Sequence, residues 1–112
     1  MTEQRPWGQF TILYEDETCK VKRIVVNPGC RLSLQYHHKR DETWKIITGI
    51  GELTLDDDRS FVYADDTIWI DRQVVHRIEN IDQEPLVFIE VQTGSYFGED
   101  DIIRIEDDYN RL

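Results

Sequence analysis

Gln35 and His37 stand two residues apart, Glu42 follows five residues after His37, and His76 comes thirty-four residues after Glu42. Two imidazoles, one carboxylate and one amide oxygen make a donor set suited to a borderline divalent cation: zinc, manganese, iron, cobalt or nickel. The period of two in a β-strand sends side chains i and i+2 to the same side, about 7 Å apart. Gln35 and His37 would therefore face one way. A turn over His38–Asp41 is expected to reverse the chain and bring Glu42 beside His37 on the neighbouring strand, with a distant strand supplying His76. Gly29 and Gly49 bound the first group, and Asn80 follows His76 by four.

The elements that must position these residues read as short β-type runs between turn signals. Strands are expected over Gln9–Tyr14, Lys20–Val26, Arg31–Tyr36, Glu42–Thr48, Gly51–Leu55, Arg59–Tyr63, Thr67–Ile70, His76–Asn80 and Leu86–Gln92. Asn27-Pro28-Gly29, Asp56-Asp57-Asp58 and Ile81–Pro85 supply the turns. That spacing predicts an all-β sandwich or barrel, one domain over 1–112, with a weak helical period only around Asp100–Asp107. Alternation over Arg31–His37 puts Arg31, Ser33, Gln35 and His37 on one face and Leu32, Leu34 and Tyr36 on the other. If the polar set lines a pocket, the apolar set forms an outer stripe, and a homodimer is expected to cover it.

Hydrophobic residues are 39% and charged residues 32% of the 112, with a formal net charge of −10. Such a chain folds around one core, and its charge argues against nucleic acid, whose backbone is bound through many Lys and Arg contacts. Residues 1–48 hold eight Lys/Arg against six Asp/Glu, and residues 49–112 hold five against seventeen, so an anion site is expected to draw on the first half. Two cysteines, Cys19 and Cys30, make no disulfide framework. No secretory leader and no apolar run of about 20 residues is seen, so a cytoplasmic protein without membrane association is expected.

The stretch Gly29–Gly49 resembles the first cupin motif, with Gln35 at its first His position, and Asp65–Asn80 resembles the second, with Asp65, Asp71 and Gln73 in place of Gly, Pro and Gly. Arg5-Pro6-Trp7-Gly8, Leu32–Gln35, His37-His38, Arg40, Glu42, Trp44, Ile89–Tyr96, Gly98–Ile102 and Arg104 further resemble type II phosphomannose isomerase. This is the C-terminal domain of bifunctional phosphomannose isomerase/mannose-1-phosphate guanylyltransferase enzymes. Thr43 stands where that family has His, removing an imidazole that could serve in proton transfer, and Tyr109-Asn110-Arg111 replaces Tyr-Gly-Arg. No Gly-rich nucleotide loop is present, so guanylyl transfer is not expected of these residues.

The resemblance implies a double-stranded β-helix (jelly-roll) barrel with a metal, zinc first, held by Gln35, His37, Glu42 and His76. It implies interconversion of mannose 6-phosphate and fructose 6-phosphate, with the metal as Lewis acid; Glu90, on one strand face with Gln92, is the candidate base. Arg40 matches the family's functional arginine and would clamp phosphate or polarise a sugar oxygen. Lys22, Arg31 and Lys39 are further phosphate candidates, and Trp44 and Trp69 candidates for stacking on a sugar ring. Two other readings fit the same residues: a non-catalytic metal-cupin that binds a sugar phosphate or nucleotide sugar, and another cupin metal enzyme such as an Fe²⁺ oxygenase.

Overall fold

A computed structural model describes all of residues 1–112. The strands are β1 (Thr2–Arg5), β2 (Gly8–Glu15), β3 (Cys19–Val26), β4 (Leu34–His37), β5 (Arg40–Thr48), β6 (Gly51–Leu55), β7 (Asp58–Val62), β8 (Thr67–Ile70), β9 (His76–Asn80), β10 (Leu86–Gly94) and β11 (Ile102–Glu106). They form two antiparallel sheets, one in the order β1-β2-β3-β10-β5-β8 and the other β11-β4-β9-β6-β7. This is the all-β jelly-roll barrel that the sequence implies. Its one helical element is a single 3₁₀ turn, Glu99–Asp101.

The helical period around Asp100–Asp107 does not become a helix. Ile102–Glu106 pairs instead with β4, Ile102 opposite His37 and Arg104 opposite Gln35. The free edge of β4 offers this segment backbone partners, with one irregularity between Arg104 and Glu106, and that outweighs a weak helical pattern. Strand Thr2–Arg5, unmarked in the sequence pattern, has β2 as its only ladder partner.

The inner faces grade from apolar to polar along the barrel. On β5 the inward side chains run Ile46, Trp44, Glu42, Arg40; on β10 they run Phe88, Glu90, Gln92; on β3 they run Val26, Ile24, Lys22, and all of these are buried. Register aligns the steps: Ile46, Phe88 and Ile24 lie side by side, then Trp44, Glu90 and Lys22. Trp44 marks the boundary. It stacks on Phe88 with ring centroids 4.5 Å apart, and its edge meets His76 at 5.8 Å. The apolar end closes on itself with Val26, Ile46, Ile78, Leu86 and Phe88 at zero exposure.

Two features of the expected layout are corrected. Arg31–Ser33 is not a regular strand: Arg31 makes only an isolated bridge to Glu79, and Leu32 and Ser33 are both buried. Leu32 therefore joins the core instead of an outer stripe. Secondly, β4 and β5 belong to different sheets, so Glu42 faces His37 across the barrel interior and not from a neighbouring strand. The connecting turn is fastened by the buried Asp101 carboxylate, which accepts from the backbone N–H groups of His38 (3.2 Å) and Lys39 (3.0 Å). Cys19 and Cys30 are unbridged, and no helix is long and apolar enough to cross a membrane.

Candidate metal centre

At the polar end, His37 from β4, Glu42 from β5 and His76 from β9 converge. Each offers one donor atom, these atoms lie within 4.8 Å of one another, and all three residues are buried. Gln35 lies opposite His76 in the β4–β9 ladder and lines the same cavity. His76 Nδ1 sits 2.9 Å from the Val74 carbonyl. A carbonyl only accepts, so Nδ1 carries the hydrogen and Nε2 keeps its lone pair, 3.9 Å from Glu42 Oε1. Burial lowers the His76 pKa; burial, then the charges of Arg40 and His76, lower that of His37 to about 3. Neutral imidazoles beside a carboxylate are what a divalent cation requires. The donor set fits one.

Glu42 is held on both oxygens. Trp44 Nε1 donates to Oε1 at 3.0 Å, and Arg40 Nε donates to Oε2 at 3.0 Å. Arg40 is buried, and its Nη2 lies 2.8 Å from His37 Nε2. The expected arginine clamp at a turn is thus placed differently: Arg40 begins β5 with its side chain inward, among the proposed ligands. Glu90 faces the same cavity from β10 and takes a hydrogen bond from Gln92 Nε2 at 2.5 Å. Burial, reinforced by the charge of Glu42, pushes the Glu90 carboxyl up to about 7. The Gln92 amide oxygen, buried next to Glu90, has no partner.

The other candidates divide. Lys22 lines the cavity, its Nζ 4.0 Å from the Phe10 ring centroid, and burial lowers its pKa. Arg31 points away, bonded to Asp108 at 2.6 Å and 2.9 Å on the outer face. Lys39 is exposed, its Nζ 5.1 Å from the Tyr96 ring centroid. Neither is among the cavity residues, because the break in alternation at Leu32 and the turn before β5 direct both outward. Trp69 is 69% exposed on the outer sheet face, and Trp44 is a core residue. Asn80 is a clamp far from the cluster, donating to the Val26 carbonyl at 2.9 Å and the Glu84 carbonyl at 2.8 Å.

Three cavity cations escaped the reading of spacing: Arg5, Arg104 and Arg111. Arg104 and Arg111 come from the acidic half, contrary to the expectation that cations for an anion site lie in the first 48 residues. Arg104 alternates inward on β11 between Ile103 and Ile105, and its Nε is buried without a partner. Arg5 pairs with Glu99 at 2.9 Å across the rim. The cavity is open on one side and measures about 60 Å³, room for roughly four water molecules.

Thr43 lies between the inward residues Glu42 and Trp44 and so faces outward, opposite Trp69 and Val91. An imidazole at this position would not reach the cavity. The substitution leaves the lining of the cavity unchanged.

Over residues 1–107 the chain matches the family described as mannose-6-phosphate isomerase, C-terminal. It is 45% identical over 107 residues to the xanthan biosynthesis protein XanB of Xanthomonas campestris pv. campestris (strain B100), covering 96% of this chain and 23% of that protein. It is 44% identical over 105 residues to mannose-1-phosphate guanylyltransferase 2 of Escherichia coli O157:H7, covering 94% and 22%. The chain thus spans less than a quarter of the length of these curated relatives. Among solved structures, an uncharacterized conserved protein with a double-stranded β-helix domain from Klebsiella pneumoniae subsp. pneumoniae MGH 78578 superposes with a TM-score of 0.76. Its identity is 21%, over 87% of this chain and 83% of that one.

Proposed function

This chain belongs to the mannose-6-phosphate isomerase C-terminal family, and we propose that it carries a metal-dependent aldose–ketose isomerase site interconverting mannose 6-phosphate and fructose 6-phosphate. The observation that carries the reading is the buried His37–Glu42–His76 cluster with Glu90 facing the same cavity. His37, Glu42 and His76, with Gln35 as a neutral fourth donor, would hold one divalent cation, zinc first, whose chemistry there is that of a Lewis acid toward charge developing on the sugar oxygens.

Glu90 takes the proton from carbon 2 of the aldose and returns it to carbon 1, while the hydroxyl proton on oxygen 2 is transferred to oxygen 1, so that a cis-enediol lies between the two sugars. Trp44 keeps Glu42 turned toward the histidines through its indole N–H. Arg104, with Arg5 and Lys22, meets the phosphate dianion; Arg111 is already engaged by Asp107. A hexose phosphate would enter from the open side of the cavity, which Arg5 and Glu99 line. We take the active species to be a cytoplasmic homodimer, with Leu34, Tyr36, Ile103 and Ile105 as the outer residues it would cover; a monomeric mass in sedimentation at micromolar concentration rejects the dimer.

The small cavity favours a second reading, a metal-cupin that binds a sugar phosphate or nucleotide sugar without turning it over. One experiment separates the two. The zinc-loaded protein is incubated with mannose 6-phosphate in deuterium oxide and followed by proton NMR, beside a chelated control and a Glu90→Gln variant. Chelator-sensitive formation of fructose 6-phosphate by the wild type alone supports the isomerase. Saturable binding with no conversion under any of the five metals replaces it with the binding module.

A further inference from the structure

The contact between Arg40 and His37 has a consequence for metal loading. A guanidinium has only donors, so at 2.8 Å from Arg40 Nη2 the His37 Nε2 is the acceptor. A neutral imidazole has one lone-pair nitrogen, so Nδ1 then carries the hydrogen. The single lone pair His37 could offer a cation is therefore spent on Arg40, and neither ring nitrogen can ligate while that bond persists. If Nδ1 were the ligand instead, Nε2 would carry the hydrogen and would meet an Arg40 N–H head-on. Arg40 also engages the ligand Glu42 through Nε at 3.0 Å.

We propose that Arg40 is the resident cation of this site, holding His37 and Glu42 together in the metal-free protein and competing with the divalent ion for both. Loading then requires Arg40 to release His37, and the affinity of the chain for metal is set as much by this displacement as by the ligands. The packing supports a displaceable contact: the third guanidinium nitrogen, Nη1, reaches only the Phe97 carbonyl, at a long 3.5 Å. The inference rests on the reading of His37, Glu42 and His76 as metal ligands.

The test measures affinity, not turnover. Zinc is titrated calorimetrically, against a competing chelator where needed, into the full chain, an Arg40→Met variant and a Lys22→Met variant. Lys22 is a second buried cation of the cavity, with no hydrogen bond to a proposed ligand, so its loss reports the effect of charge alone. Arg40→Met is expected to bind zinc about tenfold or more tightly than wild type, the scale of one charge-assisted hydrogen bond removed from the competition, and to exceed Lys22→Met.

A second measurement covers the case in which Arg40→Met fails to fold. In the wild type, ¹H–¹⁵N spectra should show His37 as the Nδ1–H tautomer without zinc, and the Arg40 Nε–H signal should move when one equivalent of zinc binds. Equal zinc affinity in wild type and Arg40→Met, or an Arg40 signal unmoved at stoichiometric zinc, overturns the proposal and leaves the metal reading standing. Failure of wild type and Arg40→Met alike to bind any of the five metals overturns both.

Discussion

The backbone N–H of Gln73 donates to the carbonyl of His37 at 2.6 Å, and Gln73 reaches it with φ at 70°. The bond ties the loop before β9 to a proposed metal ligand. Two further residues share this left-handed conformation at substituted positions, Asp65 at 75° and Asn110 at 59°. All three stand where the related motifs carry glycine. At all three the backbone takes a conformation that glycine adopts without strain, here carried by a residue with a side chain.

Asp and Asn tolerate the left-handed region, whereas for Gln it costs roughly 1–2 kcal/mol, partly offset on substitution by the greater unfolded entropy of Gly. Gln73→Gly is expected to stabilise the protein by about 1 kcal/mol and raise the thermal midpoint by roughly 4 °C. Asn110→Gly should change it less. A lower midpoint for Gln73→Gly in a calorimetric scan would reject the strain argument.

Position 43 tests whether the site tolerates its departures. Thr43→His restores the family residue on the outer face, and turnover and zinc affinity are expected to stay at wild-type values. Trp44→Phe, one residue on, removes the donor to Glu42 Oε1 and should weaken zinc binding by about tenfold or more. A gain in turnover from Thr43→His would mean that this face communicates with the cavity.

Glu90→Gln is the substitution that separates binding from proton transfer. It keeps the shape of the side chain and removes its basicity, so kcat should fall by roughly 10²–10⁴ while zinc stoichiometry and the circular dichroism spectrum are retained. Turnover surviving within the error of the assay would remove Glu90 from the mechanism.

Arg104→Gln should raise KM for the sugar phosphate by roughly ten- to a hundredfold with a smaller effect on kcat, since a charged hydrogen bond to the phosphate is lost and the reacting carbons are not touched. An equal change for a substrate analogue lacking the phosphate would show that the residue acts on the fold instead.

Acid stability follows from the paired carboxylates. Hydrogen bonds from the Arg111 side chain hold the Asp107 carboxyl down at about 2, and Arg72, Arg77 and Arg31 depress Asp41, Glu106 and Asp108. Each folded pKa lies below an unfolded value near 4. Their stabilisation is therefore present above that value and is lost as pH falls from about 4 toward 2. Arg111→Gln should make the loss shallower in acid titrations of thermal stability, and added salt should shrink the contribution of the exposed pairs.

Much of this architecture was legible in the residues. Turn signals at Asn27-Pro28-Gly29 and Asp56–Asp58 separate the strands correctly, and period two puts Gln35 with His37 on one inward face. Alternation failed where the ladder did, at Leu32 and Ser33, so Arg31 was read on the wrong side. The pairing of β11 with β4 depends on an edge that only the assembled sheet offers, and Arg104 reaches the cavity through that pairing. Arg5 and Glu99 meet across ninety-four positions, a contact that no local pattern encodes.

The apolar end of the barrel is sealed, with Ile46, Phe88 and Leu86 fully buried, and the cavity's lining reaches Arg5, Glu99, Arg104 and Arg111 at the rim. For a ligand using that rim, departure would follow the route of arrival, past Arg5, Glu99, Arg104 and Arg111. If the isomerase proposal holds, the two hexose phosphates would exclude one another at this threshold, and the side chains that speed arrival would also delay departure. Loosening that threshold shortens residence for both sugars together and leaves their ratio at equilibrium untouched.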